Sequence, residues 1–71
     1  MTNEIRTARR AADLTQSAVA KRAGLSQATL SNIEKGIATP LPERRERVLR
    51  AIDELVSARA KLAAVREALG L

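Results

Sequence analysis

Two short amphipathic helical patterns separated by one glycine are the feature that most constrains the fold of this chain. They occupy residues 16–35, which read QSAVAKRAGLSQATLSNIEK. Gly24 lies between them, where it can adopt a left-handed backbone conformation at little cost. The stretch therefore predicts a helix, a tight turn and a second helix. Apolar side chains recur on one face of each pattern, at Val19, Ala20, Ala23, Ala28, Leu30 and Ile33.

Polar residues that cap helices precede both patterns and an earlier one at the amino terminus. Thr15 and Ser26 each stand just before a pattern and offer a side-chain oxygen to the backbone amides of its first turn. Thr2 or Asn3 can cap a further helix, which we expect over residues 2–13. The amino-terminal half of the chain is thus expected to hold three short helices.

Small, turn and apolar residues stand at a characteristic spacing through residues 1–40. They are Ile5, Arg9, Leu14, Thr15, Gln16, Ala20, Gly24, Leu25, Leu30, Ile33, Glu34 and Gly36. In these residues the chain resembles the phage-repressor/Cro-type (XRE-like) helix-turn-helix family. The resemblance implies an all-α fold, a small helical bundle of the lambda-repressor-like type with a long C-terminal helix. It also implies a function in binding double-stranded DNA.

The chain divides into two segments under this interpretation. Residues 1–40 are expected to form the helix-turn-helix core, with its second helix over about 16–23 and its recognition helix over about 27–35. From Pro42 onward no helix breaker appears until Gly70, so residues 41–71 are expected to form a C-terminal helix that completes the core. A single helix over Pro42–Leu69 would be about 42 Å long, at 1.5 Å per residue.

The recognition helix and its surroundings supply the expected DNA contacts. An α-helix fits the major groove, and the residues near its leading end reach the base edges first. The outward-facing residues expected to contact bases are Gln27, Ala28, Ser31 and Asn32. Those expected to contact phosphate are Gln16, Ser26, Lys35, Thr39 and Arg10, although Arg10, like Arg6, is otherwise a solvated surface charge. The resemblance further implies that Gln16 braces Gln27, and that Arg9 pairs with Glu34 to tie the first helix to the third.

Charge and composition favour a polyanion as the partner. The 71 residues carry a net charge of +5, which suits the neutralisation of phosphates. The alternative interpretation is a helical protein whose excess of Lys and Arg has no binding role. Histidine and cysteine are absent, which removes the usual general base and the usual metal ligands. We therefore expect no metal, no cofactor, no small-molecule ligand and no enzymatic activity.

No apolar run approaches the roughly 20 residues of a membrane span, so no membrane partner and a cytoplasmic, nucleoid-associated location are expected.

A seven-residue recurrence in the C-terminal helix indicates a second surface. Val48, Leu55, Leu62 and Leu69 have coiled-coil spacing, although Arg59 and Arg66 occupy later intervening positions. We expect two copies to pair as a homodimer through this helix. Alternatively, the chain bends near residues 57–59 and folds its last part back onto its own core. The residues expected in the dimer interface are Ile52, Leu55, Val56, Leu62 and Leu69.

These features predict a transcription regulator, most simply a repressor that binds a palindromic operator as a homodimer in a bacterial or phage-infected cell. A phage switch protein, a restriction-modification controller and an autoregulating antitoxin all remain open. The alternative function is an antitoxin-like or other protein-interaction module that uses the C-terminal helix to bind a protein partner.

Overall fold

Four helices and their short connections make up the computed structural model, which describes residues 3–71. They are α1 (Glu4–Ala11), α2 (Gln16–Ala23), α3 (Gln27–Glu34) and α4 (Pro42–Ala68). The predicted all-α bundle with a long C-terminal helix is confirmed. Thr2, one of the two caps expected for α1, lies outside the described residues.

Side-chain caps set the first residue of the three short helices. The side chains of Asn3, Thr15 and Ser26 each accept a hydrogen bond from the backbone amide three residues further along the chain. Each bond satisfies an amide that has no partner within its own helix. The helix α4 begins instead with Pro42, which has no amide hydrogen to satisfy.

A residue with left-handed backbone follows the last turn of every helix. Gly24, Gly36 and Gly70 have φ angles of 75°, 78° and 74° after α2, α3 and α4. After α1 the same place is held by Asp13, with φ of 55°. In all four cases the amide of the next residue donates to the carbonyl five residues before it, which closes the helix end. The first helix therefore ends at Ala11, two residues before its expected end.

The core is aliphatic and small. It consists of Ile5, Val19, Ala20, Ala23, Leu30, Ile33, Val48, Ala51 and Ile52. The helix α2 lies at its centre and packs against both α3 and α4, while α1 packs against α4. Because Ile52 is the last residue of this core, the second half of α4 continues beyond it.

The helix α4 is continuous over 27 residues, so the alternative in which the chain bends near residues 57–59 is wrong. It is joined to the end of α1 by Arg59, whose Nη1 donates to the carbonyl oxygen of Ala12 at 2.9 Å. All residues from Val56 to Leu71 are exposed, and the molecule measures 46 × 22 × 19 Å. None of the helices in residues 3–71 has both the length and the apolar character that a membrane span needs.

Candidate nucleic-acid interface

One side of α3 presents a mainly polar face to solvent. Gln27, Ala28 and Asn32 are exposed and Ser31 is half-buried, while the opposite side of the helix supplies Leu30 and Ile33 to the core. The Ser26 hydroxyl caps the helix by accepting from the amide of Thr29 at 3.1 Å. The four residues expected to contact bases therefore lie together beside a capped helix end.

A basic groove adjoins this face. Its lining residues are Arg6, Arg9, Arg10, Gln16, Ser31, Glu34 and Lys35. Three of the expected phosphate contacts, Gln16, Arg10 and Lys35, meet there beside the expected base contact Ser31. The groove also holds the start of α2, where backbone amides without helical partners favour an anion. The lining contains four cationic side chains and one carboxylate, so the groove has the net positive charge that attracts a phosphate.

The one carboxylate in the groove is neutralised within the protein. Arg9 donates to Glu34 through two nitrogens, Nε to Oε2 at 2.7 Å and Nη2 to Oε1 at 2.8 Å. Its third nitrogen, Nη1, donates to the carbonyl oxygen of Leu14 at 2.8 Å. The expected pair between the first and third helices is thus present, with the paired geometry in which Arg binds carboxylates most strongly.

Burial and pairing act in opposite directions on the Glu34 carboxyl. Burial alone would raise its pKa, but the hydrogen bonds from Arg9 and Gln16 and the positive charges of Arg9 and Arg6 outweigh burial and lower the pKa. The hydrogen bond to Glu34 correspondingly raises the pKa of Arg9, against the effect of its own burial. Both groups are therefore charged at neutral pH.

A family model described as helix-turn-helix matches residues 5–54, which include α1, α2, α3 and the part of α4 that packs on the core. The chain belongs to the phage-repressor/Cro-type helix-turn-helix family. It is accordingly a DNA-binding transcription regulator. Searches of the curated proteins and of the solved structures return no significant match.

One contact in this helix-turn-helix regulator differs from the expectation. Gln16 donates from Nε2 to Glu34 Oε1 at 3.2 Å, so it braces the ion pair instead of Gln27. The physical reason is that the first residue of α2 lies against the last turn of α3, where Glu34 is, while Gln27 begins that helix. Gln27 is therefore exposed at its position on α3.

Asn3 has a second role in the regulator that the sequence did not indicate. While its Oδ1 caps α1, its Nδ2 donates to the carbonyl oxygens of Ile33 at 2.7 Å and of Glu34 at 3.2 Å. These carbonyls belong to the last turn of α3, whose carbonyls lack helical partners. An asparagine before a helix predicts a cap, and nothing in its sequence position announces a contact 30 residues away.

Thr39 stands apart from the basic groove. It is exposed in the loop after α3 and lines a different cavity, together with Asn3 and Arg45. Any phosphate contact by Thr39 would therefore be made at a separate point along the DNA backbone. In residues 3–71 of the regulator, no cluster of three or more acidic side chains could hold a metal.

The residues expected between two copies do not share one surface. Ile52 is 6% exposed and belongs to the regulator's own core, so its expected place in a dimer interface is wrong. Leu55 is half-buried against that core, and Leu62 and Leu69 are exposed. Val56 is exposed too, but it lies about 120° around the helix from Leu62. The exposed stripe instead includes Val65, which the seven-residue recurrence alone did not select.

Proposed function

We propose that this regulator binds a palindromic operator in double-stranded DNA through the major groove and represses transcription by occluding a promoter. The observation that carries the proposal is the position of the polar face of α3 directly beside the basic groove. A helix that enters the major groove needs cations at its sides, because phosphates line both edges of that groove. The regulator has both parts on one surface.

Amide and hydroxyl side chains on α3 would read the bases. Gln27 and Asn32 each carry a carboxamide, which can bond both the N6 and the N7 of an adenine. Ala28 would allow close approach to the DNA or contact a thymine methyl group. Ser31, which lines the groove, would bond a base edge or the neighbouring phosphate.

The basic groove would fix the protein on the DNA backbone. Arg10 and Lys35 would supply charge to a phosphate, and Gln16 would present its amide beside the free backbone amides that begin α2. Ser26 would add a hydroxyl contact at the start of α3, and Thr39 a further one from the loop. Such contacts position the helix and bind DNA of any sequence, whereas the base contacts give specificity.

Two copies would occupy one operator as a homodimer. A single α3 of eight residues reaches only a few base pairs, which is too little to specify a site alone. Copies related by a two-fold axis would read half-sites about 34–36 Å apart, and the operator would be palindromic for that reason. Occupancy would then rise steeply with protein concentration.

The decisive experiment selects bound duplexes from a random DNA library, with the full-length protein at near-physiological salt. The proposal expects an enriched palindrome of fixed half-site spacing, and sedimentation of the complex should give two copies per duplex. Placing that palindrome over a promoter should reduce transcription in a purified system. Recovery of no motif, with only weak and salt-sensitive binding, would contradict the proposal.

A further inference from the structure

The second half of α4 carries an apolar stripe that no part of residues 3–71 covers. Ala58, Leu62, Val65 and Leu69 follow one another in alternating steps of four and three residues, which places them on one side of the helix. The last three side chains of this distal stripe are 53%, 54% and 67% exposed. The same spacing continues backwards through Leu55, Ala51 and Val48, which pack on the core. The stripe that completes the fold therefore runs on into solvent.

Cations flank the distal stripe on both sides. At 3.6 residues per turn, Arg59 and Arg66 lie along one edge of it and Lys61 lies along the other. Glu67 is the one acid between positions 58 and 71, and it borders the same groove as Arg59, Leu62 and Arg66. The preceding acid, Glu54, is already paired with Arg22 at 2.6 Å. Three cations thus lie along the edges of the distal stripe, and one acid borders the groove beside Arg59 and Arg66.

This charge pattern opposes the pairing of two copies through the distal stripe. In a parallel pair, Lys61 of one copy would lie beside Arg66 of the other. In an antiparallel pair centred between Leu62 and Val65, Arg59 would lie beside Arg66. Both arrangements place like charges together, and the exposed stripe offers only about two heptads where a stable coiled coil needs three or four. A second copy is therefore a poor occupant.

We propose that the distal stripe binds an amphipathic helix of another protein whose own apolar stripe is flanked by Asp and Glu. The apolar side chains would pack together, and the acidic edges of the partner would meet Arg59, Lys61 and Arg66. A groove lined by Leu62, Ala63 and the exposed Leu71, together with Arg59, Arg66 and Glu67, adds apolar surface beside these cations. The docking surface shares no residue with α3 or the basic groove, so the inference is independent of DNA binding.

The test titrates the full-length protein into two labelled synthetic peptides and follows fluorescence anisotropy. Both peptides carry leucines at the same heptad positions, and one has glutamate at the flanking positions where the other has lysine. The proposal expects the glutamate peptide to bind at least about tenfold more tightly than the lysine peptide. The double substitution Lys61→Glu with Arg66→Glu should reverse that preference.

Two single substitutions locate the binding surface. Leu62→Ser removes an apolar side chain from the distal stripe and should weaken binding of the glutamate peptide by at least about tenfold. Ala64→Ser alters an exposed residue on the other side of the helix and should leave binding unchanged. Circular dichroism of each variant checks that α4 is still helical.

Three results would overturn the proposal. Equal affinity for the two peptides would show apolar adhesion without charge recognition. Sedimentation of the free protein as a dimer that Leu62→Ser dissociates would show that a second copy occupies the stripe. Binding to phosphatidylglycerol vesicles that competes with the glutamate peptide would show that the surface recognises a membrane. Loss of DNA binding bears only on the preceding proposal.

Discussion

At the scale of single residues, Glu34 joins all three short helices. Its carboxylate accepts from Arg9 of α1 and Gln16 of α2, and its backbone carbonyl accepts from Asn3. The helix α3 is thus held at its last residue by both of its neighbours. Together with the packing of Leu30 and Ile33 in the core, these bonds fix the orientation of α3 relative to α1 and α2.

Substitution of Glu34 should be far more costly than that of an exposed acid. Glu34→Gln leaves the nearly buried guanidinium of Arg9 without its counter-charge, which should lower the free energy of unfolding by about 3 kcal/mol. The matched control is Glu54→Gln in the exposed pair with Arg22, where we expect a change within about 1 kcal/mol. Urea denaturation at pH 7 measures both. Equal losses would mean that burial does not distinguish the two pairs.

The same carboxyl should make stability depend on pH in the acid range. Because the pKa of Glu34 is lowered in the folded state, the unfolded chain takes up its proton first as the pH falls. The stabilisation is therefore complete above the ordinary value of 4.5 and is lost as the pH falls through the folded pKa. Urea denaturation at a series of pH values between about 5.5 and 2.5 gives the free energy of unfolding as a function of pH. That free energy should fall less steeply with decreasing pH for Glu34→Gln than for the parent protein. Identical slopes would exclude Glu34 as the source.

Substitutions at the two ends of α3 should separate base reading from phosphate binding. Gln27→Ala should weaken the binding free energy for the operator by about 1–3 kcal/mol and relax the preference for one base at the position that Gln27 contacts. Lys35→Ala should weaken binding to all sequences alike and reduce the salt dependence by about one counterion. Affinities for every single substitution of the selected operator test both variants. A uniform loss with Gln27→Ala would show that it does not read a base.

At the scale of elements, the ends of the helices were the most predictable part. Thr15, Ser26 and the glycines after α2 and α3 are local signals, and each stands where the structure begins or ends a helix. The end of α1 was missed because Asp13 has no such signal, although it adopts the same left-handed conformation. A non-glycine residue is uncommon in that region, although aspartate enters it more readily than most, so an aspartate alone is a weak signal of a helix end.

Partners of long side chains were less predictable than helix ends. The Arg9–Glu34 pair followed from the family pattern, but the contacts of Gln16 and Asn3 depend on how the helices cross in space. Val65 could have been recognised, since the steps of four and three residues along α4 are visible in the sequence. The seven-residue recurrence includes Leu55, Leu62 and Leu69 but not the intervening positions, of which Val65 is one.

Substitutions at two residues with left-handed backbone should change the stability of the fold in opposite directions. Gly24→Ala should destabilise the protein by about 1 kcal/mol, because its φ of 75° strains any side chain although a Cβ would meet no atom within 4 Å. Asp13→Gly should stabilise it by roughly 0.5 kcal/mol, because relief of the same strain exceeds the extra entropy of the unfolded chain. Thermal unfolding of both variants measures the effects. A stabilising Gly24→Ala would contradict this account of the helix ends.

At the scale of the whole molecule, the structure is a small bundle with a projecting helix. Within residues 3–71, Ile52 is the last core residue and Arg59, which bonds Ala12, is the last residue of α4 with a hydrogen bond to another element or its cap, so the fold needs little beyond that point. A chain that ends at Ala60 should keep its free energy of unfolding within about 1 kcal/mol and should retain operator affinity. A chain that ends at Arg50 lacks Ala51 and Ile52 and should not fold. Loss of operator affinity on ending at Ala60 would mean that the distal half of α4 joins the two copies on DNA.

The projection of α4 past the core divides one helix between two regimes of hydrogen exchange. Amides up to about Arg59 should exchange only when the whole bundle opens, since tertiary packing protects that part. Amides beyond it should exchange through fraying from the carboxyl end, because the hydrogen bonds of a solvated helical end open individually. A ligand on the distal stripe would bring both parts into one cooperative unit. Slowed exchange in the last turns would then report occupancy without any change in the fold.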